Sequence, residues 1–405
     1  MKILHTADWH LGKKLEHFSR LEEQKNVLQE IIEIANQKQV DMVVIAGDLF
    51  DTFNPPNEAI DLFYKTLKKL SNNGNRLVVA IAGNHDSPER IEAPTPLSLE
   101  NGIVLAGYPS TKVPHFSLET GVNVTHSDNG FLEVKLPNVN FPVRMLLTPY
   151  ANEFRLKTYL EAENKEEALR DVLQKFWQKN ADNYCDEKGV NLLITHLFFA
   201  KKGEEIEEEP DDEKPILNVG NAQVVYTNNI PKQIQYTALG HLHRSHWVGE
   251  EPCPVVYSGS PISYSFSEAN QKKYVTIVEL YPNKEAKTER VELLKGKKLL
   301  RKKFKEIEQA VAWLNEHKND LIELTIQTDT YLTSEDRRKL YQSHKGIISI
   351  IPELTGDNQI SKEQNSKIDL SKSMDSLFID YFKSKKENQE PNQELLDLFK
   401  ELRKD

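Results

Sequence analysis

Two cysteines, Cys185 and Cys253, are all that the 405 residues contain. They lie far apart and neither belongs to a C-x-x-C pair, which excludes a disulfide framework and a thiolate zinc site. No run of about 18 apolar residues occurs, which excludes a transmembrane helix. The opening MKILHTADWH is broken by Asp8 and His10 and is no secretory signal, so a cytoplasmic protein is expected. No G-x-x-x-x-G-K-[ST] pattern appears, so any use of ATP must come through another chain. Basic charge is not in excess either. There are 52 Lys and Arg against 62 Asp and Glu, a net charge of -10, which argues against nucleic-acid binding by bulk charge. The deficit is uneven: residues 284–405 carry 24 basic and 23 acidic side chains, leaving 28 and 39 to residues 1–283.

What is present is an alternation of apolar runs and helical spacings. KILHTA (2–7), VDMVVIAG (40–47), RLVVAIAG (76–83) and VNLLITHLFFA (190–200) read as buried strands. Leu28, Ile31, Ile32 and Ala35 mark one helix face, and Ile60, Phe63, Leu67 and Leu70 another. A helix is also expected over 152–180, and further strands at 236–239, 254–260 and 273–280. This order predicts a layered α/β domain over residues 1–283. The acidic run GEEIEEEPDDEK (203–214) reads as a solvated loop. Residues 284–355 read as a small α+β unit, with strands at 291–294, 322–328 and 347–354 and helices near 305–318 and 333–343. Residues 356–372 read as a polar linker. Two amphipathic helices follow within 373–405: Met374, Leu377, Phe378, Tyr381 and Phe382 share one face, and Leu395, Leu398, Phe399 and Leu402 another.

Polar residues with metal-ligating chemistry stand at the ends of five of these strands. Asp8 and His10 follow the first, and Asp48 and Asp51 the second. Asn84, His85 and Asp86 follow the third, His196 the fourth, and His241 and His243 the fifth. In a layered α/β fold the carboxyl ends of strands gather at one edge, where ligands bind. Mixed imidazole, carboxylate and amide donors without thiolate suit Mn, Fe, Zn or a similar ion. The donors exceed what one ion needs, so two ions sharing a carboxylate are expected. Such a pair clamps the attacking and leaving oxygens in displacement at phosphorus, which points to phosphoester hydrolysis.

The motifs D-x-H (Asp8, His10), G-D-x-x-D (Gly47, Asp48, Asp51), G-N-H-D (Gly83 to Asp86), T-H (Thr195, His196) and G-H-x-H (Gly240 to His243) resemble those of the calcineurin-like metallophosphoesterases. HTADWHLG, AGDLFD, AGNHDS, LGHLHR and SGSPISYSFSE (258–268) are more narrowly similar to the SbcD family of nuclease subunits. The resemblance implies an α-β-β-α sandwich, a small capping domain at 284–355 and C-terminal helices that dock on the coiled-coil base of an SbcC ATPase. It also implies two divalent ions, Mn²⁺ foremost with Mg²⁺, Fe²⁺ or Zn²⁺ as alternatives. Asp8, His10, Asp48 and His243 would hold one ion, with Asp48 bridging, while Asn84, His196 and His241 complete the second. His85 would face the scissile phosphate, work for which an imidazole with an ordinary pKa of ~6.5 is suited. Asp51 and Asp86 are expected to orient ligand imidazoles, His5 to be structural, and Trp9 to pack or line the rim.

DNA is the implied substrate, which would place the protein at the nucleoid. The basic cluster KGKKLLRKKFK (295–305), with Lys297, Lys298, Arg301, Lys302 and Lys303, could track a phosphate backbone or could be a solvated edge. The family also implies a homodimer formed by helices near the site, with 57–72 and 88–100 as candidates. A protein phosphatase or small phosphodiesterase of the same superfamily is the alternative. Protein phosphatases of this fold read GDxVDRG and GNHE, whereas this chain reads GDLFDTF and GNHD.

Overall fold

The computed structural model describes residues 1–156, 165–203, 224–328, 332–354 and isolated positions within 376–399. Most of the acidic run, the linker at 356–372 and most of the C-terminal helices lie outside the described residues.

Two sheets face each other. The first has six strands in the order Lys287–Leu293, Lys273–Glu279, Lys2–Thr6, Met42–Ala46, Leu77–Ile81, Ile103–Ala106. Its last four strands are parallel, and the first two are antiparallel additions. The second has seven, in the order His246–Gly249, Val255–Tyr257, Tyr236–Leu239, Val190–Thr195, Val143–Thr148, Phe131–Lys135, Asn123–Asp128. Its central four are parallel.

The alternation of side chains along these strands sorts the core into layers. Ile3, Val44, Val79, Met145, Leu192 and Ala238 point inward and fill the space between the sheets. Leu4, Val43, Ile45 and Ala80 point outward, against Val27, Leu28 and Ile31 of helix Leu21–Gln37 and Phe63 and Leu67 of helix Asn57–Leu70. On the other sheet Leu146, Leu193 and Leu239 meet Leu169, Leu173 and Trp177 of helix Lys165–Tyr184. The result is the expected α-β-β-α sandwich. The central strands are covered on both faces, which explains why these runs are apolar throughout.

Three details differ from the sequence reading. The strand expected at 291–294 in the small unit is the end of Lys287–Leu293, which pairs with Lys273–Glu279 at the edge of the six-stranded sheet. Its outer face is exposed and polar, so it carries no apolar run. The basic cluster is itself a strand, Leu299–Phe304, pairing in parallel with Leu321–Thr328 and through it with Ile347–Leu354. The helix expected over 88–100 is two short ones, Pro88–Glu92 and Thr95–Leu99. Helices Ile307–Glu316 and Ser334–Ser343 cover one face of the three-stranded sheet through Ala310, Leu314, Leu324, Ile326 and Leu340. In the C-terminal segment Phe378 stacks on Phe399 at 4.1 Å between ring centres. Among the described residues no helix is long and apolar enough to cross a membrane.

The two sheets come into close contact where their parallel strands end. A Cβ placed on Gly240 would lie 1.9 Å from the carbonyl oxygen of Ala46 on the opposing sheet, so only glycine permits this approach. Gly240→Ala is expected to cost about 1–3 kcal/mol by overpacking. Urea unfolding of chelator-treated protein measures it, and an unchanged midpoint would contradict the packing described.

Candidate metal centre

The five strands that precede the predicted metal-site residues end at this line of contact. Asp8, His10, Asp48, Asn84, His85, His196, His241 and His243 therefore form one cluster spanning both sheets. All are buried, and Asn84 and His85, each 8% exposed, are the members nearest solvent. Four of them hold left-handed backbone: Asp8 (φ 53°), His10 (φ 40°), Asp48 (φ 48°) and His241 (φ 104°). Such conformations cost about 1–3 kcal/mol each and persist where function requires them.

Backbone amides fix the two central carboxylates. Asp8 Oδ1 accepts from the His241 amide at 2.8 Å, and Asp48 Oδ1 from the His85 amide at 2.9 Å. Their other oxygens turn into the cluster. Asp48 Oδ2 lies 3.5 Å from His10 Nε2 and 3.3 Å from His196 Nε2, between the two rings. Asp8 Oδ2 is buried without a hydrogen-bond partner among the described residues. Asn84 Oδ1 lies 3.0 Å from both His196 Nε2 and His241 Nδ1.

The tautomers follow from the outer contacts. His196 Nδ1 donates to the Ala46 carbonyl at 2.8 Å, so in the neutral ring Nε2 presents a lone pair to Asp48 and Asn84. His243 Nδ1 lies 3.2 Å from Glu268 Oε1, so its Nε2 lone pair faces His10 Nε2 at 3.1 Å. Acceptor-rich carboxylates, an amide oxygen and imidazoles thus converge in one buried space. This donor set fits divalent cations, and Asp8, His10 and Asp48 bring ligand atoms within 4.8 Å of one another.

The electrostatics agree. Burial pushes the Asp8 carboxyl up to about 7. Burial opposes ionisation of Asp48 too, but His196, His85 and His10 around it hold it well below the usual range. Burial likewise opposes the charge on His196, yet Asp48 lifts that ring to about 9. Burial drives His10 well below its ordinary value.

His85 is held differently. Its Nδ1 donates to the Asp51 carbonyl at 2.9 Å, and its Nε2 is buried with no partner among the described residues. Asp51 therefore orients an imidazole through its backbone. Its carboxylate lies 3.4 Å from Lys13 Nζ and 3.9 Å from His10 Nδ1, the latter beyond hydrogen-bond reach. Asp86 departs from the expectation of a histidine orienter. Its carboxylate accepts from the amides of Gly83, Leu49 and Phe50 and so ties two ligand loops together. Burial, with Asp48 nearby, raises it to about 6. His5 is structural as expected, bonded to the Tyr236 hydroxyl at 2.9 Å and the Leu239 carbonyl at 3.1 Å. Trp9 is fully buried packing rather than rim.

Sequence reasoning missed Glu268 and Arg155. Lys273 contributes to holding Glu268 well below the carboxylate range against the cost of burial. Arg155 is 4% exposed and donates to the carbonyls of Gly83 (2.7 Å), Asp86 (2.8 Å) and Asn84 (3.4 Å), clamping the loop that bears His85. No motif marks Arg155. Glu268 ends the SGSPISYSFSE string but follows no strand. Of the basic candidates, Arg301 pairs with Glu323 at 2.6 Å and Lys303 with Glu353, while Lys297, Lys298 and Lys302 are exposed.

Asp8 and His196 both have raised values in the fold. In metal-free protein their contribution to stability is therefore greatest at low pH and fades as pH rises through about 7 and about 9. A cation must displace those protons. Added Mn²⁺ is expected to raise Tm more at pH 8 than at pH 5, and a larger shift at pH 5 would contradict the assignment.

The sequence pattern of the calcineurin-like phosphoesterase family matches residues 1–244. The SbcD polypeptide of the SbcCD nuclease of Bacillus subtilis (strain 168) is 36% identical over 414 aligned positions, covering 99% of this chain and 97% of that one. Its counterpart in the SbcCD nuclease of Staphylococcus epidermidis is 30% identical over 291 positions, 70% of this chain and 67% of that one. With the sandwich and the clustered motif residues, these likenesses show that the chain belongs to the calcineurin-like phosphoesterases and, within them, to the SbcD family.

Proposed function

We propose that this chain is the nuclease component of an SbcCD-type complex and hydrolyses DNA phosphodiesters at the centre described above. Asp8, His10, Asp48 and His243 would hold one divalent cation, and Asn84, His196 and His241, with Asp48 shared, the second. Mn²⁺ is the foremost candidate. Ions bound there would supply an acidified water and neutralise charge on the phosphoryl oxygens. The chain's own residues do the rest. Asp86 and Arg155 fix the loop that carries Asn84 and His85. The Asp51 carbonyl holds the proton on His85 Nδ1, which leaves Nε2 to serve the substrate. As water adds to phosphorus and the bond to the leaving deoxyribose oxygen breaks, protonated His85 would give its Nε2 proton to that oxygen.

The single observation that carries this reading is His85 Nε2. It is buried, unpartnered among the described residues, fixed in tautomer, and next to His10 at 4.9 Å between ring centres. The wider reading follows from the motif resemblance to the SbcD family and comprises 3′–5′ exonuclease action on duplex ends and endonuclease action on hairpins and single strands. Cutting of duplex would be gated by ATP in an SbcC partner, on which the C-terminal helices dock. A homodimer would form through helices Asn57–Leu70 and 88–100. The exposed Lys297, Lys298 and Lys302 would meet phosphates, and the complex would work at the nucleoid.

The test is Mn²⁺-dependent cleavage of a labelled DNA hairpin with a single-stranded flank, with and without the ATPase partner. His85→Gln is expected to lose about 10²–10⁴-fold in rate while still binding Mn²⁺, and chelator abolishes cutting. The proposal fails if wild type hydrolyses bis-p-nitrophenyl phosphate yet leaves every DNA intact with or without partner. That result would favour a phosphatase or small-phosphodiester enzyme.

A further inference from the structure

The segment Ser263–Glu268 lies where three parts of the molecule meet. On one side Glu268, 3% exposed, sits against His243, its Oε1 3.2 Å from Nδ1. The same oxygen accepts from the amides of Tyr264 (2.9 Å) and Ser265 (3.3 Å), and Oε2 receives Lys273 Nζ. Lys273 in turn donates to Ser260 Oγ at 2.9 Å and to the His243 carbonyl at 3.1 Å. Both ends of His243 are thus gripped by one buried ion pair. On a second side, Arg20 donates to the Ser263 carbonyl at 2.9 Å, and Gln24 donates to the Tyr264 hydroxyl at 3.3 Å and the His10 carbonyl at 2.8 Å. On the third side is the small unit. Phe266, two residues before Glu268, packs with Leu15 and with Leu299, Leu321 and Ile348, one from each strand of the three-stranded sheet. Arg301 lies 5.7 Å over its ring.

A carboxylate that accepts from a ring N–H fixes the tautomer and orientation of a metal-binding imidazole and strengthens it as a donor. Glu268 can do this only while its short turn is held in place. Part of that hold is the apolar seat that Leu299, Leu321 and Ile348 of the small unit, with Leu15, make for Phe266. A shift of the small unit would therefore reach His243 through two residues of backbone, with no long chain of contacts to cross.

We propose that Glu268 is a positioning residue for His243, and that Phe266 makes its placement depend on the seating of the small unit, so that loosening the seat weakens one of the two bound cations. This inference rests on the reading of His243 as a metal ligand.

Mn²⁺ titration of the full chain by calorimetry tests it, with circular dichroism and thermal unfolding as checks on folding. Wild type is expected to take two ions. Glu268→Gln should weaken one of them by about 10–100-fold and leave the other near wild type. Phe266→Ala should weaken the same ion by several-fold, with Phe266→Leu restoring it. His243→Ala is the control. If it keeps both ions at wild-type affinity, the ligand reading fails and this inference with it. If it loses an ion while folded Glu268→Gln and Phe266→Ala bind both normally, the inference alone is overturned. Equal weakening of both ions would also overturn it, because that is what a merely structural role predicts. Should Glu268→Gln not fold, the Phe266 pair decides.

Discussion

The structure depends on the convergence of buried carboxylates and imidazoles where two sheets end. Asp8 and Asp48 are carboxylates taken almost wholly out of water; Asp48 turns one oxygen toward two imidazoles, and one oxygen of Asp8 has no partner among the described residues. Placing charge in such a site is unfavourable unless cations complete it. The surrounding fold supplies the constraint that holds it together. Left-handed backbone at Asp8, His10, Asp48 and His241, the close approach of the sheets at Gly240, and the amides given to Asp86 all act against relaxation. A site strained in this way gains stability from what it binds.

Much of this is legible in the sequence, for a physical reason. Strands buried on both faces must be apolar, so a polar residue directly after one stands at an edge. Five such edges in one chain specify a shared point before any coordinates exist. The sandwich, its helices and the cluster from Asp8 to His243 are accessible in that way. The parts that are not accessible share a different cause. Arg155 and Glu268 act through carbonyls, amides and one imidazole brought close by tertiary folding, and neither follows a strand. Leu299–Phe304 is hidden because its solvent-facing positions are basic. The acids that answer them, Glu323 and Glu353, lie on strands later in the chain. Lys287–Leu293 is hidden because an edge strand with one exposed face needs no apolar run. Spacing places Asp86 beside histidines and so suggests a histidine orienter. Only geometry shows that three amides claim it.

The connection between the sandwich and the small unit is made of backbone as much as side chains. Glu30 accepts from the amides of Leu294 and Lys295, both at 2.9 Å, and Glu23 from that of Lys297 at 2.8 Å. Glu23 is itself held by Arg20, whose guanidinium also grips Ser263. One helix, Leu21–Gln37, therefore anchors the connector and, through Gln24, the carbonyl of His10. Electrostatics and packing thus join the basic strand to the loops that bear His10 and His243 over a short distance. The placement of the three-stranded sheet is tied to the same residues that shape the cluster.

The central claim is that the cluster is a two-cation centre with Asp48 between the ions. Anomalous diffraction from crystals soaked in Mn²⁺ tests it most directly. The account predicts two anomalous peaks, one beside Asp8, His10 and His243 and one beside Asn84, His196 and His241, both in contact with Asp48. A single peak, or peaks away from Asp48, would contradict it.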